Sequence, residues 1–430
     1  MTDEEPTVPI ELSTQVCVVG GGPAGLTLAL ELVRRGCRVV VVEATGHVHR
    51  SFRGESISPD SVWLLERLGL LDGLRGSFLE ARRLEITDGG RAVFTVDFTH
   101  LPYPCPCPIE LPQPALLGAL AEHASAFPGF TLLGRTRAVD LLRDGGAVVG
   151  VRCSGPDGRV EVRARLTVAA DGRFSKVREM SGLPYIRKPL DRDVVWLKLP
   201  FPREWDNRTY RVRMHRGDHG LFIPTLPDSV RVGLNIPKGG LRALRAEGIG
   251  ALHRRIDMLA PELSASVRAG VRDWTDTSLL DIFTTVVPRW SAPGLVLIGD
   301  AAHTLSPILG QGVNHAIIDA VTLAPMVAAP LRPVAPPKAL PDALLRFQRL
   351  REGSVARSRS LQLRQERAFA LSRPPAVAAR RTLYRLVNRS LAVKRRILAG
   401  AYFQLQERGI SAGPGPASVR PAVPAGRRRR

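Results

Sequence analysis

The chain has 430 residues, enough for two or three domains with real cores. A hydrophobic share of 44% reads as globular, and no run approaches the roughly 18 uninterrupted apolar residues of a membrane span. The net charge of +21 is uneven: residues 331–430 hold 23 Lys/Arg against 4 Asp/Glu, so the basic excess marks the C-terminal region rather than the body.

In chain order, the acidic start "MTDEEPTVPIEL" lacks a signal pattern, and the protein is expected to be cytoplasmic. Residues 14–43 read as a βαβ unit: strand "QVCVVG", helix "GGPAGLTLALELVRRG", strand "CRVVVVE". A helix is expected over 58–74, a hairpin over 80–98, a helix over 112–127 and three strands over 130–170. Residues 193–237 alternate as a separate antiparallel sheet, 240–275 as helix, 294–298 as a buried strand and 314–329 as helix. A Pro-rich linker at 330–341 precedes two more helical stretches and a disordered tail, 411–430. Cys105 and Cys107 have no second Cys/His pair at zinc spacing, so no metal site is expected.

Two glycine clusters carry the chemistry. Gly20-x-Gly22-x-x-Gly25 lies between strand and helix, where a tight turn, a close pyrophosphate and a closely packed helix each need a glycine. Glu43 ends the second strand, where an acid can bond a ribose hydroxyl. This points to an adenine dinucleotide without a 2′-phosphate, FAD or NAD. The second cluster, "GDAAHTLSPILGQGVNHA" from Gly299 to Ala316, follows the apolar strand "GLVLI", and a third motif, "VAADGRFSKVRE", holds Asp171-Gly172.

Together these three motifs resemble the group A flavin-dependent monooxygenases of the p-hydroxybenzoate hydroxylase type, over most of residues 14–370. The resemblance implies an α/β fold: a Rossmann-like FAD-binding domain (13–80, 110–185 and 280–330) and an antiparallel-sheet substrate domain (81–109 and 186–279). A basic helical region follows at 340–410. It implies that Gly20, Gly22, Gly25 and Glu43 hold the ADP half of FAD. Arg53 and Gln113 would contact the cofactor, Asp171 and Gly172 would serve FAD and the passage of NAD(P)H, and Asp300 would bind the ribityl chain. Gly310, Gly312, Val313 and Asn314 would lie against the isoalloxazine, with Pro307 and His303 as catalytic candidates. His303 reads equally as a turn-packing imidazole. Ring-side glycines let backbone N–H groups reach the pyrimidine edge, and the following helix adds its positive end.

The implied reaction is NAD(P)H- and O2-dependent hydroxylation of an electron-rich, aromatic or polyketide-like small molecule through a flavin C4a-hydroperoxide. "RGESISP" (53–59) also resembles flavin-dependent halogenases, but no lysine precedes Lys176 and their Trp-x-Trp-x-Ile-Pro motif is absent. A reductase of the geranylgeranyl reductase type shares the motifs. Trp196, Arg213, His215 and Phe222 lie on the expected sheet, each read as surface or core packing. In "VAARRTLYRLVNRSLAVKRRILAGAYFQLQE" (377–407), Leu383, Leu386, Val387, Leu391, Ile397, Leu398, Tyr402 and Leu405 are expected near one helical face packed on the body. The alternatives are an anionic membrane surface or an acidic carrier protein with a tethered substrate. No nucleic-acid motif accompanies the charge.

Overall fold

A computed structural model describes residues 10–46 and 55–407. Arg53 and the tail 411–430 lie outside these described residues. The first core forms around a mostly parallel sheet in the order Ser291–Ala292, Leu295–Leu297, Gly158–Ala169, Ile10–Val19, Val39–Val42, Phe130–Leu133. Val39–Val42 is buried at every position because helices cover both faces of a parallel sheet. Four strands, not three, occupy 130–170. Phe130–Leu133 pairs in parallel with Val39–Val42, while Arg137–Asp144, Ala147–Gly155 and Gly158–Ala169 form an antiparallel meander.

The second sheet has seven strands. The hairpin Arg83–Asp88/Arg91–Asp97 joins it through a parallel pairing with Thr209–His215. One face carries Val195, Leu197, Phe222, Val230 and Val232 against the helices Ile249–Leu259 and Ser264–Gly270. The other face carries Ile86, Phe94, Val96, Val212 and Met214 against Phe369, Leu398 and Phe403 of the C-terminal region, and Val194 and Trp196 beside Leu363. A three-stranded ribbon (Ser56–Ile57, Leu79–Glu80, Ile109–Glu110) sits at the junction.

The expected helix 58–74 is Pro59–Arg67 with a separate 3-10 turn at Asp72–Leu74, because Gly69 (φ +71) ends it. Two differences arise at the C-terminal end. The long helix Ala339–Phe369 starts inside the expected linker, since Pro341 sits in its first turn, where no N–H is needed. The stretch 377–407 is not one helix: Pro374–Asn388, Leu391–Tyr402 and Gln404–Glu407 are separated by the Ser390 cap and a break at Phe403. The eight apolar residues therefore do not share one face. Leu398 is buried, but Leu383 is 63% exposed.

This region is fastened to the body. Arg380, buried, donates to Asp88 Oδ2 from Nε (3.0 Å) and Nη2 (2.7 Å), and from Nη1 to the carbonyls of Ala368, Phe369 and Leu371. Arg381 bonds the other Asp88 oxygen at 2.9 Å. Leu405 N and Gln406 N donate to Asp60. Arg380→Ala is expected to cost about 3–5 kcal/mol, because it leaves a buried carboxylate with Arg381 alone and three carbonyls without their donor. Exposed Arg385→Ala should stay within about 0.5 kcal/mol. Urea unfolding of the two variants checks this.

Candidate active site

The fingerprint helix, Pro23–Val33, begins at Gly22 with no side-chain cap and no acid in its first turn, so its N–H groups form an open anion site. Gly20 has φ +109, and a Cβ there would lie 2.4 Å from Ala170 O. At Gly25 a Cβ would lie 1.9 Å from Gly20 O, so helix and strand approach too closely for any side chain. Glu43 accepts from Gly21 N at 2.6 Å, Thr45 N at 2.9 Å and Thr45 Oγ1 at 2.7 Å, bracing the turn.

The second cluster converges on the same place. Gly299 (φ +57, ψ −140) sits where a Cβ would be 3.3 Å from the Cβ atoms of both Ala24 and Ala316. It is the seam between the fingerprint helix and the helix Gln311–Ala328. Asp300 follows. Its half-buried carboxylate receives no hydrogen bond among the described residues, and its Oδ1 would lie 3.7 Å from a Cβ at Gly312. Burial pushes this carboxyl up, against the pull of Arg173, His303 and Arg178. The helix Gln311–Ala328 also starts uncapped, at Gly310 (φ +62), with no acid in its first turn. Pro307 opens the preceding 3-10 turn and its carbonyl accepts from Gly310 N at 2.8 Å. Val313 packs on the first core. Asn314 clamps the turn, accepting from Ser58 N (2.8 Å) and donating to Gly310 O (2.7 Å) and Ser56 O (3.2 Å).

Asp171 directly follows Ala170, beside Gly20, but both its oxygens are used: Ser175 Oγ donates at 2.5 Å and Val177 N at 3.0 Å, starting the short helix Lys176–Ser181. Gly172 has φ +83 with open space where a Cβ would be. Gln113 heads its helix, buried, with Oε1 lacking a partner.

His303 lies in a buried network that sequence reasoning missed. Its Nε2 donates to Asp319 Oδ2 (2.7 Å), which also accepts from Gly299 N (2.8 Å). Arg351 Nε reaches Oδ1 at 2.7 Å. Arg351 also donates to His315 Nδ1 (2.8 Å), so His315 carries its proton on Nε2 and faces Ser358 Oγ at 2.8 Å. Burial and then Arg351 push the His315 imidazole well below its usual range, keeping it neutral. Burial would raise the Asp319 carboxyl, but His303 and Arg351 outweigh it and hold it below the usual range. The signal in the sequence was Asp319 itself, one acid in the apolar run "HAIIDAVTLA".

A second missed cluster joins the two bodies. Buried Arg231 reaches Glu55 (2.8 Å) and Glu110 (3.0 Å). Tyr210 donates to Glu110 at 2.7 Å, and Ser56 donates to it as well. This pins the sheet next to the Pro307–Gly310 turn, since a Cβ at Gly310 would be 3.4 Å from Ser56 Cβ. Trp196 shares that face: its ring lies 5.2 Å from the Arg231 guanidinium. Phe222 and Arg213 turn the other way, Arg213 to Glu262 at 2.7 Å. His215 is half-buried near the strand end.

An open helix N-terminus beside a dinucleotide fingerprint, joined at Gly299 to a second open N-terminus beside an unbonded carboxylate, defines a flavoprotein with an extended cofactor site. A family model described as "FAD binding domain" matches residues 13–344, and the chain belongs to that family. 6-Methylpretetramide 4-monooxygenase of Streptomyces rimosus is 40% identical over 387 residues, 88% of this chain and 92% of that protein. PqsL of Pseudomonas aeruginosa, solved with 2-aminobenzoylacetate, is 26% identical with TM-score 0.75, over 86% of this chain and 99% of that one. The flavin-dependent brominase Bmp2, at 17% identity and TM-score 0.73 over 91% of this chain and 94% of that one, shows the fold alone. The protein is an FAD-dependent NAD(P)H:oxygen monooxygenase, and the halogenase and reductase readings are the less favoured ones. Its residues fit FAD: two uncapped helix starts meet at the Gly299 seam with the unbonded Asp300 beside it, and Gln113 Oε1 is a buried acceptor without a partner. Among the described residues no helix is long and apolar enough to cross a membrane.

Proposed function

We propose that this monooxygenase hydroxylates an electron-rich polycyclic aromatic of polyketide type. The observation that carries the reading is the seam at Gly299, where the ring-side turn and the fingerprint helix are locked at one spacing. The substrate class rests on the relative named for a pretetramide. When bound, FAD supplies electron transfer from NAD(P)H and activation of O2.

The chain's own part is binding, orientation and dryness. Open N–H groups ahead of Pro23–Val33 hold the pyrophosphate, Glu43 lies by the ribose, and Asp300 accepts from ribityl hydroxyls. Gly310 and Gly312 would let the first N–H groups of the helix Gln311–Ala328 come close to the flavin ring, and its uncapped positive end would favour negative charge there. Gln113 Oε1 accepts a cofactor hydrogen bond. Asp171 and Gly172 shape the adjoining turn rather than offering a free carboxylate. Pro307 fixes the turn that faces the substrate. His303 acts through Asp319, as a positioning residue. The sheet residues of 81–109 and 186–279 roof the pocket. Trp196, Leu221 and Ile223, packed on Leu363 of the long helix, exclude water.

Two results test this. Acid precipitation of the holoenzyme should leave yellow flavin in the supernatant, and colour retained in the pellet would contradict non-covalent binding. Hydroxylated polycyclic aromatics should stimulate NAD(P)H oxidation and yield a product bearing one oxygen from labelled O2, with or without chloride or bromide. A product that gains halogen and no oxygen would overturn the reading.

A further inference from the structure

Residues 367–406 contain nine Lys/Arg and no Asp/Glu. Some of this charge is internal: Arg380 and Arg381 serve Asp88, Lys394 donates to Thr95 O at 3.0 Å, and Arg395 lies 5.6 Å from the Tyr103 ring. Arg373, Arg385, Arg389 and Arg396 are exposed, with no acidic partner among the described residues. Between them stand Leu383, Leu386 and Leu391, exposed by 63%, 55% and 54%, and Val393 and Ile397, both 43%. Leu383 and Leu386 are three apart on one helix, and Val393 and Ile397 four apart on the next, so each pair shares a face.

We propose that the helices Pro374–Asn388 and Leu391–Tyr402 dock on an anionic phospholipid surface. The aliphatic side chains enter the acyl boundary and the guanidinium groups meet the phosphates. Three observations select this occupant. A second copy of the chain would bring like charge to like charge. The aromatics of this region turn inward: Tyr384 lies 6.2 Å from Phe94, Phe403 stacks on Tyr103 at 3.9 Å, and Tyr402 is packed in the same cluster. What remains outside is aliphatic and basic, the composition of an interfacial amphipathic helix. The sequence beyond, 408–430, adds six Arg and no acid. The contact is peripheral, since no described helix can span a bilayer.

Flotation of the full-length holoenzyme with vesicles tests the proposal. Binding is expected to phosphatidylcholine vesicles containing phosphatidylglycerol, not to phosphatidylcholine alone, and should weaken as salt rises. The triple variant Leu383→Ser, Leu386→Ser, Ile397→Ser keeps every charge and alters only exposed positions. It should retain wild-type flavin content and unfolding midpoint while its vesicle partition falls at least tenfold. No flotation of the wild type, or flotation unchanged in the folded variant, overturns the proposal. So does a wild-type dimer that the variant abolishes without any vesicle binding, or saturable binding to an acidic carrier protein with none to anionic vesicles.

Discussion

Asp300→Ala will fold normally and lose most of its flavin. The carboxylate stands at the head of a short helix, half-buried, with no hydrogen bond from the described residues and with Gly312 alongside. It accepts no hydrogen bond from the described residues and feels Arg173, His303 and Arg178 only through space, so its loss should shift stability by no more than about 1 kcal/mol. Charge-assisted bonds to a polyhydroxyl chain are worth roughly 1.5–3 kcal/mol, or about one to two decades of affinity. The ratio of flavin absorbance to protein, and turnover at saturating FAD, read this out. Asp300→Asn keeps one acceptor and should fall between the two. Unchanged flavin content and turnover in Asp300→Ala would remove Asp300 from the cofactor site.

Asp319→Ala should have the opposite signature, a large loss of stability with flavin lost as a consequence. Removing this carboxylate leaves the Arg351 charge buried, the Gly299 N–H unpaired and His303 without its acceptor. Breaking a buried pair in this way costs about 3–5 kcal/mol. The network also carries a pH dependence. The Asp319 carboxyl is held below the usual range, so its stabilisation is complete above the ordinary Asp pKa near ~3.9 and fades as pH falls further. Asp319→Asn retains an acceptor for Gly299 N–H and should cost less, while flattening the acid limb of the stability curve. Urea midpoints between about pH 3 and pH 7 measure this. An unfolding midpoint for Asp319→Ala equal to wild type would refute the structural role of the network.

The motifs were legible because they are local. A positive φ at Gly20, Gly299 and Gly310, and an uncapped helix start after each cluster, follow from a few consecutive residues, and the strand–turn–helix context is contiguous in the chain. The same locality exposed the βαβ unit and the buried valine strand. Element ends were less legible. Pro341 reads as a breaker unless its place in a helix's first turn is known, and the single apolar pattern of 377–407 conceals two breaks.

By itself the sequence determined the cofactor class, the turn chemistry and the existence of an antiparallel second sheet, all properties of neighbouring residues and of period-two alternation. Only the tertiary structure decided which partners distant residues meet. Trp196 and Phe222 sit on strands with the same alternation, yet one faces Arg231 at the junction and the other a helical core, because the sheet buries both faces against different neighbours. His303 is committed to Asp319, 16 residues away, and Arg231 to Glu110, 121 residues away. Burial makes such pairings obligatory, since an unpaired charge in the interior is too costly to keep. Which opposite charge satisfies it depends on how the chain folds back, and that is written in no local pattern.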